Sequence, residues 1–459
     1  MKKINFFIEI IIIVSSLCIT ILLFFSKQEN ASLLFLLPLL FCILKVIYIK
    51  YIYLFKNITS FMIVSLSYLK NVLIPFLLYL SDYKLLNYGY EIYFKRSGIR
   101  KIESYNNAIL LLAYEMIVIF TLLCYLNSKY NKYTKNNKYQ KISKKTKFFF
   151  YVSLIYMFVV LFIYPELIKN FQLLFQIGEP EHVFKLRSLR YGGEGIPAIF
   201  HTILNSIFAI LQILFPIYFI VYLNKKKSIL LNYLLLFLLL LIFNSAKGNT
   251  FIAIIILLYT LFNMYPKHRK IIKGTGILIL GIGIIFLFIK NKNGVLEESY
   301  FSNLSVLLST YFSGILNVAY SLKMEKGEYY IILVDILKSI PFISGEFFKN
   351  TLASTSIFNY TINQNNLYQD QILPMIGQGY FYFGKVLAPI LPCIILIIGF
   401  SYEIKLKKEK NLLYKNIYFY FVIILGYCTL ILNINILIQM LFNGIILLVI
   451  YKRMRIVNE

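Results

Sequence analysis

The strongest constraint on this chain is a series of apolar segments that recurs from one terminus to the other. Each is about 20 residues long, enough to cross a hydrocarbon core roughly 30 Å thick. Segments such as LLNYLLLFLLLLIF are apolar on every side, whereas a helix of a soluble core carries a polar face. Transmembrane barrels need short alternating strands, and the sequence has no such pattern. It therefore predicts an all-α, polytopic integral membrane protein.

The apolar segments predict the individual spans. These lie near residues 4–25, 31–49, 58–80, 107–127, 148–165, 199–223, 229–244, 249–265, 271–289, 386–403, 413–432 and 434–451. Two further apolar segments, 301–322 and 329–344, are interrupted by Gly314, Asp335 and Lys338. They predict either a short pair of spans or a re-entrant element. The total is then about 12 to 14 transmembrane helices.

The basic residues occupy alternate loops of this arrangement. They cluster at Lys2 and Lys3 and in segments 129–147, 225–227, 267–273, 405–410 and 452–455. Because lysine and arginine concentrate on the cytoplasmic side of membrane proteins, these loops and both termini are predicted to be cytoplasmic. The same rule explains the formal net charge of +27. Nucleic-acid binding is not expected, since no soluble domain carries a basic patch.

Three of the opposite, outer loops are long enough to form a site. They span about residues 81–106, 166–198 and 345–385. Loops longer than about 12–15 residues in a compact protein are more often functional than idle. No internal repeat or soluble linker divides the chain, so residues 1–459 are predicted to form a single membrane domain.

Arginine is rare in this lysine-rich chain, and four of the seven arginines lie in the outer loops. Two of them, Arg187 and Arg190, fall in the segment KLRSLRYGGEG. A guanidinium group matches phosphate oxygens bidentately, whereas lysine is a point charge. The glycines that follow allow backbone amides to approach a ligand. We expect Arg187 and Arg190 to bind a diphosphate; the alternative is that both reach lipid phosphates at the interface.

Other polar residues on the predicted outer face are candidates for supporting roles. Lys247, in the turn SAKGN between two spans, is placed to hold a second phosphate or simply to end a hairpin. His182, Glu194 and Asp370 are candidates for the group that accepts a proton. An unremarkable loop histidine is the competing interpretation of His182.

Charged residues inside predicted spans have a simpler interpretation. Lys70 and Glu115 are costly in lipid and are expected to face a cavity or to pair with each other. The five cysteines lie in apolar segments without metal-ligand spacing, so no disulfide framework is expected. The sequence has no phosphate-binding glycine loop, zinc-protease motif or nucleophile elbow. Nucleotide and metal chemistry are therefore disfavoured.

Four segments together carry a resemblance to a known family. They are LRSLRYGGEG, NSAKGNTFI, TYFSGILN and GQGYFYFGKVLAPIL, in that order along the chain. Their order among the spans resembles the Wzy-type polymerases, which assemble O-antigen and capsular polysaccharide from lipid-linked repeat units. The best local match is the element Tyr382–Phe383–Gly384, which follows a large outer loop and leads into the next span. Lys247 stands where members of the family commonly have an arginine.

The resemblance implies a reaction and its partners. A growing glycan on undecaprenyl diphosphate is transferred to a new lipid-linked repeat unit at the outer face of the bacterial plasma membrane. No nucleotide sugar, metal or other cofactor is expected. Arg187, Arg190 and Lys247 are expected to stabilise the departing diphosphate. Besides membrane lipid and this substrate, the implied partners are a chain-length regulator and a flippase.

Two other functions remain open at this point. A flippase for lipid-linked oligosaccharides would show two related halves and charges distributed over many spans. Here the charges concentrate in the outer loops, which favours chemistry at one face. A ligase that joins finished glycan to another acceptor would use the same leaving group, and only the identity of the acceptor separates it from a polymerase.

Overall fold

A computed structural model describes most of the first and last thirds of the chain. The described residues are 2–26, 28–51, 57–90, 99–129, 300–340, 351–363, 371–409 and 411–456, with scattered positions between 148 and 276. Within these ranges the chain forms helices and no β-strand, so the predicted all-α class is confirmed there. The chain divides into two compact units: unit 1 comprises 1–133, 294–404 and 422–439, and unit 2 comprises 134–293, 405–421 and 440–459.

The first part of unit 1 holds helices that lie in predicted spans and one short helix, Lys84–Tyr88, that lies in the predicted outer loop 81–106. They are α1 (Lys2–Ser26), α2 (Leu36–Ile47), α3 (Ile58–Tyr68), α4 (Ile74–Leu80), α5 (Lys84–Tyr88) and α6 (Asn106–Lys129). A five-residue π-helical turn, Leu69–Leu73, joins α3 to α4 without a break. Four stretches of this part are long and apolar enough to cross a membrane: Phe6–Ser26, Glu29–Ile47, Ile58–Leu80 and Asn106–Lys129. They coincide with the first four predicted spans.

The later helices include two sharply bent pairs. The helices are α7 (Tyr300–Tyr311), α8 (Ile315–Ser321), α9 (Ile331–Ser339), α10 (Ser354–Ile362), α11 (Met375–Leu387), α12 (Ile390–Lys408), α13 (Leu412–Leu430) and α14 (Ile434–Ile456). Helices α7 and α8 meet at 49°, and α11 and α12 meet at 111°. Each pair is apolar enough to be a broken span or a re-entrant element, which would bring the spans of the described ranges from four to six.

Part of the predicted topology is outside the described residues. The predicted spans 148–165, 199–223, 229–244, 249–265 and 271–289 fall wholly or largely there. Helices α13 and α14 cover the predicted spans 413–432 and 434–451. The total of about 12 to 14 helices therefore stays a prediction.

Polar contacts bring three helix ends of unit 1 together. The Glu403 carboxylate near the end of α12 accepts hydrogen bonds from the backbone N–H groups of Ile58 and Thr59, at 3.1 and 2.9 Å. These amides begin α3, where an anion is favoured by the unpaired N–H groups and the helix dipole. The Asn57 side chain in turn donates to Asn127 near the end of α6, at 2.6 Å. We call this end of unit 1 the Lys129 end, after the last residue of α6.

The opposite end of unit 1 is defined by the start of α6, and we call it the Asn106 end. Its first residue, Asn106, accepts a hydrogen bond from the Leu33 amide at 3.2 Å. The end of α1 reaches the same place, because Ser26 bonds to the Tyr83 hydroxyl and Gln28 donates to Asn87. Helices α1 and α3–α4 therefore both finish at the Asn106 end, where α6 begins, so α6 runs antiparallel to both.

The predicted Lys70–Glu115 ion pair is confirmed. The two charged groups are 3.0 Å apart and fully buried, and Lys70 also donates to the Leu430 carbonyl at 2.8 Å. Lys70 lies in the π-helical turn, so the bulge, α6 and the end of α13 are joined at one point. A second buried pair, Lys45 and Glu9 at 2.8 Å, joins α2 to α1. Pairing is what makes such charges tolerable away from water.

Unit 2 is described at fewer positions. The rings of Tyr259 and Phe419 stack with centroids 3.7 Å apart. Thr260 donates to the Asn416 side chain at 3.2 Å, and Tyr420 donates to the Met440 carbonyl at 2.7 Å. None of the five cysteines, all of which the structure describes, forms a disulfide bond.

Candidate functional site

The six site residues predicted from the sequence lie outside the described residues. They are His182, Arg187, Arg190, Glu194, Lys247 and Asp370. Their roles stay predictions. The element Tyr382–Phe383–Gly384, by contrast, is described in full, and the site is built here around it.

The glycines that open the segment GQGYFYFGKVLAPIL allow two close helix contacts. A Cβ on Gly377 would lie 2.4 Å from the Ser321 Oγ, where α11 packs on α8. A Cβ on Gly379 would lie 2.1 Å from the backbone oxygen of Ala388. Backbone cannot move away as a side chain can, so only glycine at 379 lets the chain after α11 fold back this closely.

The sharp bend between α11 and α12 begins at Gly384. This residue has φ +76°, a left-handed conformation inside an otherwise helical stretch. Residues with a Cβ adopt it at a cost, which explains glycine at this position. Tyr382 and Phe383 thus stand on the last turn before the kink, and their rings meet edge to face with centroids 6.0 Å apart.

A cavity of about 430 Å³ opens beside this kink. Residues 326–330, in the loop before α9, line one side, and Tyr382, Phe383 and Gly384 line the other. The Gly327 amide donates to the Phe381 carbonyl at 3.2 Å, which ties the loop to α11. We call this space the Tyr382 cavity. Its volume falls within the range typical of small-ligand sites, roughly 300–1,000 Å³.

The walls of the Tyr382 cavity are aromatic and carry both signs of charge. Tyr329 is 72% exposed and Tyr330 53% exposed. The Tyr329 and Phe383 rings lie 6.3 Å apart at an interplanar angle of 31°. Lys326 and Glu328 are exposed at the same rim, so one cation and one anion face the opening together.

Behind the cavity, Tyr382 belongs to a buried polar cluster centred on Asp335. The Tyr382 hydroxyl donates to one Asp335 carboxylate oxygen. The other oxygen accepts from the Ser354 amide at 3.0 Å and from the Asn435 side chain at 3.1 Å. Asp335 is completely buried. In the described part of the chain no lysine or arginine pairs with it, so neutral donors alone satisfy its oxygens.

Gln378 completes the cluster from α11. Its carbonyl oxygen accepts from the Ile434 amide at 2.8 Å, and its amide nitrogen lies 2.9 Å from the Ser354 hydroxyl and 3.0 Å from the Asn435 carbonyl oxygen. The cluster therefore joins α9, α10, α11 and the start of α14. Fully satisfied buried networks of this kind fix one arrangement of the elements that they connect.

The Tyr382 cavity belongs to the half of unit 1 that includes the Asn106 end. Tyr114, in the first half of α6, donates to the Val386 carbonyl at 3.0 Å, just after the kink. The Arg100 amide donates to the Ile362 carbonyl at 2.9 Å, and the Arg100 carbonyl accepts from Tyr320 at 2.8 Å. Parts of segments 81–106 and 345–385 thus meet next to α8.

The sequence analysis did not identify the cluster as a site. Asp335 was noted only as an interruption of an apolar segment, and Gln378, Ser354 and Asn435 drew no attention. The available signal was the carboxylate itself, because an acidic residue within an apolar segment demands partners. Among the described residues, no group of three or more His, Cys, Asp or Glu side chains is arranged to hold a metal ion.

Comparison of the chain with protein-family models, with curated proteins and with solved structures gave no match.

Proposed function

We propose that the protein is a multi-pass membrane glycosyltransferase that polymerises lipid-linked oligosaccharide repeat units at the outer face of the bacterial plasma membrane. The observation that carries the proposal is the Tyr382 cavity, which opens at the very element, Tyr382–Phe383–Gly384, that best matches the Wzy-type polymerases. A kinked helix beside an open cavity is the setting in which non-helical backbone is tolerated in a membrane protein.

The charge distribution supports an external site. Helix α6 ends at Lys129, and α12 continues into the lysine-rich segment 405–410. The positive-inside rule assigns the Lys129 end to the cytoplasm and the Asn106 end to the outside. The Tyr382 cavity, in the outer half, is then accessible to substrates that reach the outer leaflet.

The reaction breaks the bond between the anomeric carbon of the growing glycan and the diphosphate oxygen, and the electron pair leaves with undecaprenyl diphosphate. A new bond joins that carbon to a hydroxyl oxygen of the incoming repeat unit. The hydroxyl proton passes to a base, for which His182, Glu194 and Asp370 are the candidates. Negative charge grows on the leaving diphosphate, and Arg187, Arg190 and Lys247 are the cations proposed to stabilise it.

Deletion of the gene tests the proposal. A polymerase mutant accumulates single repeat units on undecaprenyl diphosphate in the outer leaflet, and restoring the gene restores long chains. Single units confined to the inner leaflet would identify a flippase instead. Finished polymer retained on undecaprenyl diphosphate would identify a ligase. Mass spectrometry of the extracted lipids, with leaflet assignment by an external glycosidase, distinguishes the three results.

A further inference from the structure

We propose that the Tyr382 cavity binds the uncharged sugar of the incoming acceptor repeat unit, and that it does not bind the diphosphate. This inference rests on the proposed polymerase function. In this proposal the acceptor binds in the cavity at the kink of α11. The departing diphosphate binds to the arginine-bearing segment 185–195.

The charge at the rim argues against a phosphate ligand. A diphosphate carries several negative charges and is bound in proteins by several cations or by converging backbone N–H groups. Among the described residues that line the cavity, only Lys326 carries an ammonium group, and the Glu328 carboxylate lies two residues further along the same loop. Because the two charges are opposite and close together, their net electrostatic attraction for an anion is small. An uncharged ligand can still form hydrogen bonds with both groups.

The aromatic walls argue for a sugar. A pyranose ring has an apolar face of C–H groups and a periphery of hydroxyls, so it needs an aromatic surface and polar groups at the edge. Tyr329 is exposed and Phe383 is partly exposed, and their adjacent rings form one aromatic surface at the edge of the cavity. Lys326 and Glu328 supply a donor and an acceptor at the rim. A lipid chain, by contrast, would require a closed aliphatic surface.

The wall formed by α11 is held rigid from behind. Tyr382 faces the cavity with its ring while its hydroxyl bonds to Asp335. On the other wall, a Cβ on Gly327 would lie 2.3 Å from the Phe381 ring, so the loop sits directly on α11. A site whose walls are fixed before binding loses less conformational freedom when the ligand arrives.

Binding is tested on the purified full-length protein in detergent micelles. The probes are an oligosaccharide repeat unit prepared by partial hydrolysis of the cell's own surface polysaccharide and, separately, inorganic pyrophosphate. Binding of the oligosaccharide is measured by saturation-transfer difference NMR. We expect Tyr329→Ala and Phe383→Ala each to raise its dissociation constant roughly tenfold, because each removes one ring of the aromatic surface. Pyrophosphate is expected not to displace it.

The matched control is Tyr360→Ala. Tyr360 is 61% exposed on α10 and does not line the cavity, so its removal should leave the dissociation constant unchanged. Dissociation constants in both cavity variants within about twofold of the wild-type value, or displacement by pyrophosphate, would overturn the proposal.

Failure of this inference is distinguishable from failure of the proposed function. If the gene deletion gives the polymerase result but Tyr329→Ala and Phe383→Ala keep wild-type chain length and binding, only the acceptor site is wrong. If the deletion gives the flippase or ligase result, the polymerase function is wrong and the acceptor assignment fails with it.

Discussion

At the residue scale, four buried carboxylates in the described part of unit 1 are stabilised in three different ways, and Glu9 and Glu115 share the first, an ion pair with lysine. Glu115 pairs with the Lys70 ammonium group, Glu403 accepts the first N–H groups of α3, and Asp335 is surrounded by neutral donors. The Glu115–Lys70 pair joins helices of the bundle, and the Glu403 carboxylate fixes the start of α3. Asp335 bonds to Tyr382, which lines the Tyr382 cavity, and among the described carboxylates it is therefore the one joined to the candidate site.

The buried ion pair predicts a non-additive stability effect. Lys70→Met leaves Glu115 buried without its cation, and the free energy of unfolding should fall by about 3–5 kcal/mol. The double variant Lys70→Met/Glu115→Leu should recover most of that loss because no charge remains buried. Graded denaturation of the detergent-purified protein measures both.

The control for this series is Lys323→Met, which removes an exposed lysine and should leave the unfolding midpoint unchanged. If the double variant were no more stable than Lys70→Met, the ion pair would not account for the stability of this part of the bundle.

Lysine substitutions in segment 185–195 test whether diphosphate binding requires the planar guanidinium group or only a positive charge. Arg187→Lys and Arg190→Lys keep the positive charge but remove the planar fork that matches phosphate oxygens. We expect each to abolish long polymer while the protein remains in the membrane. The measurement is glycan chain length by gel electrophoresis, with membrane protein levels determined in parallel.

Arg100→Lys is the matched control for the arginine substitutions. Arg100 contacts its neighbours through its backbone amide and carbonyl, so the same side-chain exchange there should preserve chain length. Wild-type chain length in both Arg187→Lys and Arg190→Lys would reject the diphosphate-binding role.

At the element scale, each of the two bent helix pairs contains a short non-helical break. The break between α7 and α8 contains Ser313 at φ 49°, whose hydroxyl donates to the Ile431 carbonyl at 2.6 Å. The kink at Gly384 borders the Tyr382 cavity. Backbone that leaves the helical ladder must be buried in protein or line a cavity, and the two breaks illustrate these two solutions.

Because the chain folds back against α11 at Ala388, we expect Gly379→Ala to cause a steric clash. The new methyl group would meet the Ala388 backbone oxygen, which can yield only if the bend opens. We expect a loss of about 1–3 kcal/mol in stability and a lower yield of folded protein. The unfolding temperature of the purified variant provides the measurement.

Gly274→Ala is the control for this substitution, because a Cβ at Gly274 meets nothing within 4 Å. An unfolding temperature of Gly379→Ala equal to that of Gly274→Ala would show that the close approach of Ala388 is not required.

At the scale of the whole molecule, the polar contacts at the helix ends define two opposite faces of unit 1. Asn57, Asn127 and Glu403 gather at the Lys129 end, and Asn106 marks the other. Lys129, the last residue of α6, predicts that the Lys129 end is the cytoplasmic face.

Helix α6 offers a matched pair of positions to test this orientation. Ser104 precedes the helix and Ser128 lies in its last turn, and both are exposed. Ser104→Cys should react with a membrane-impermeant maleimide on intact cells, and Ser128→Cys only after the membrane is permeabilised. The unsubstituted protein, with its five native cysteines, sets the background. The reverse labelling pattern would invert the proposed topology.

The sequence by itself determined the membrane spans of the first part of the chain. Hydrocarbon requires about 20 apolar residues and internally satisfied backbone, so length and hydropathy alone locate such helices. The observed helical stretches Phe6–Ser26 and Asn106–Lys129, which are long and apolar enough to cross a membrane, follow the predicted spans within a few residues. The same physics predicted the Lys70–Glu115 pair, since two opposite charges in neighbouring spans have few alternatives to pairing.

Only the tertiary structure decided the surroundings of Asp335 and the Tyr382 cavity. Asp335 bonds to residues 19 and 100 positions away along the chain, and its partner Tyr382 is 47 positions away. Hydropathy reports how each segment meets lipid and contains no information about which polar side chains face one another. The packing of α9, α10, α11 and α14 brought these side chains together, because the cluster joins residues of four separate helices.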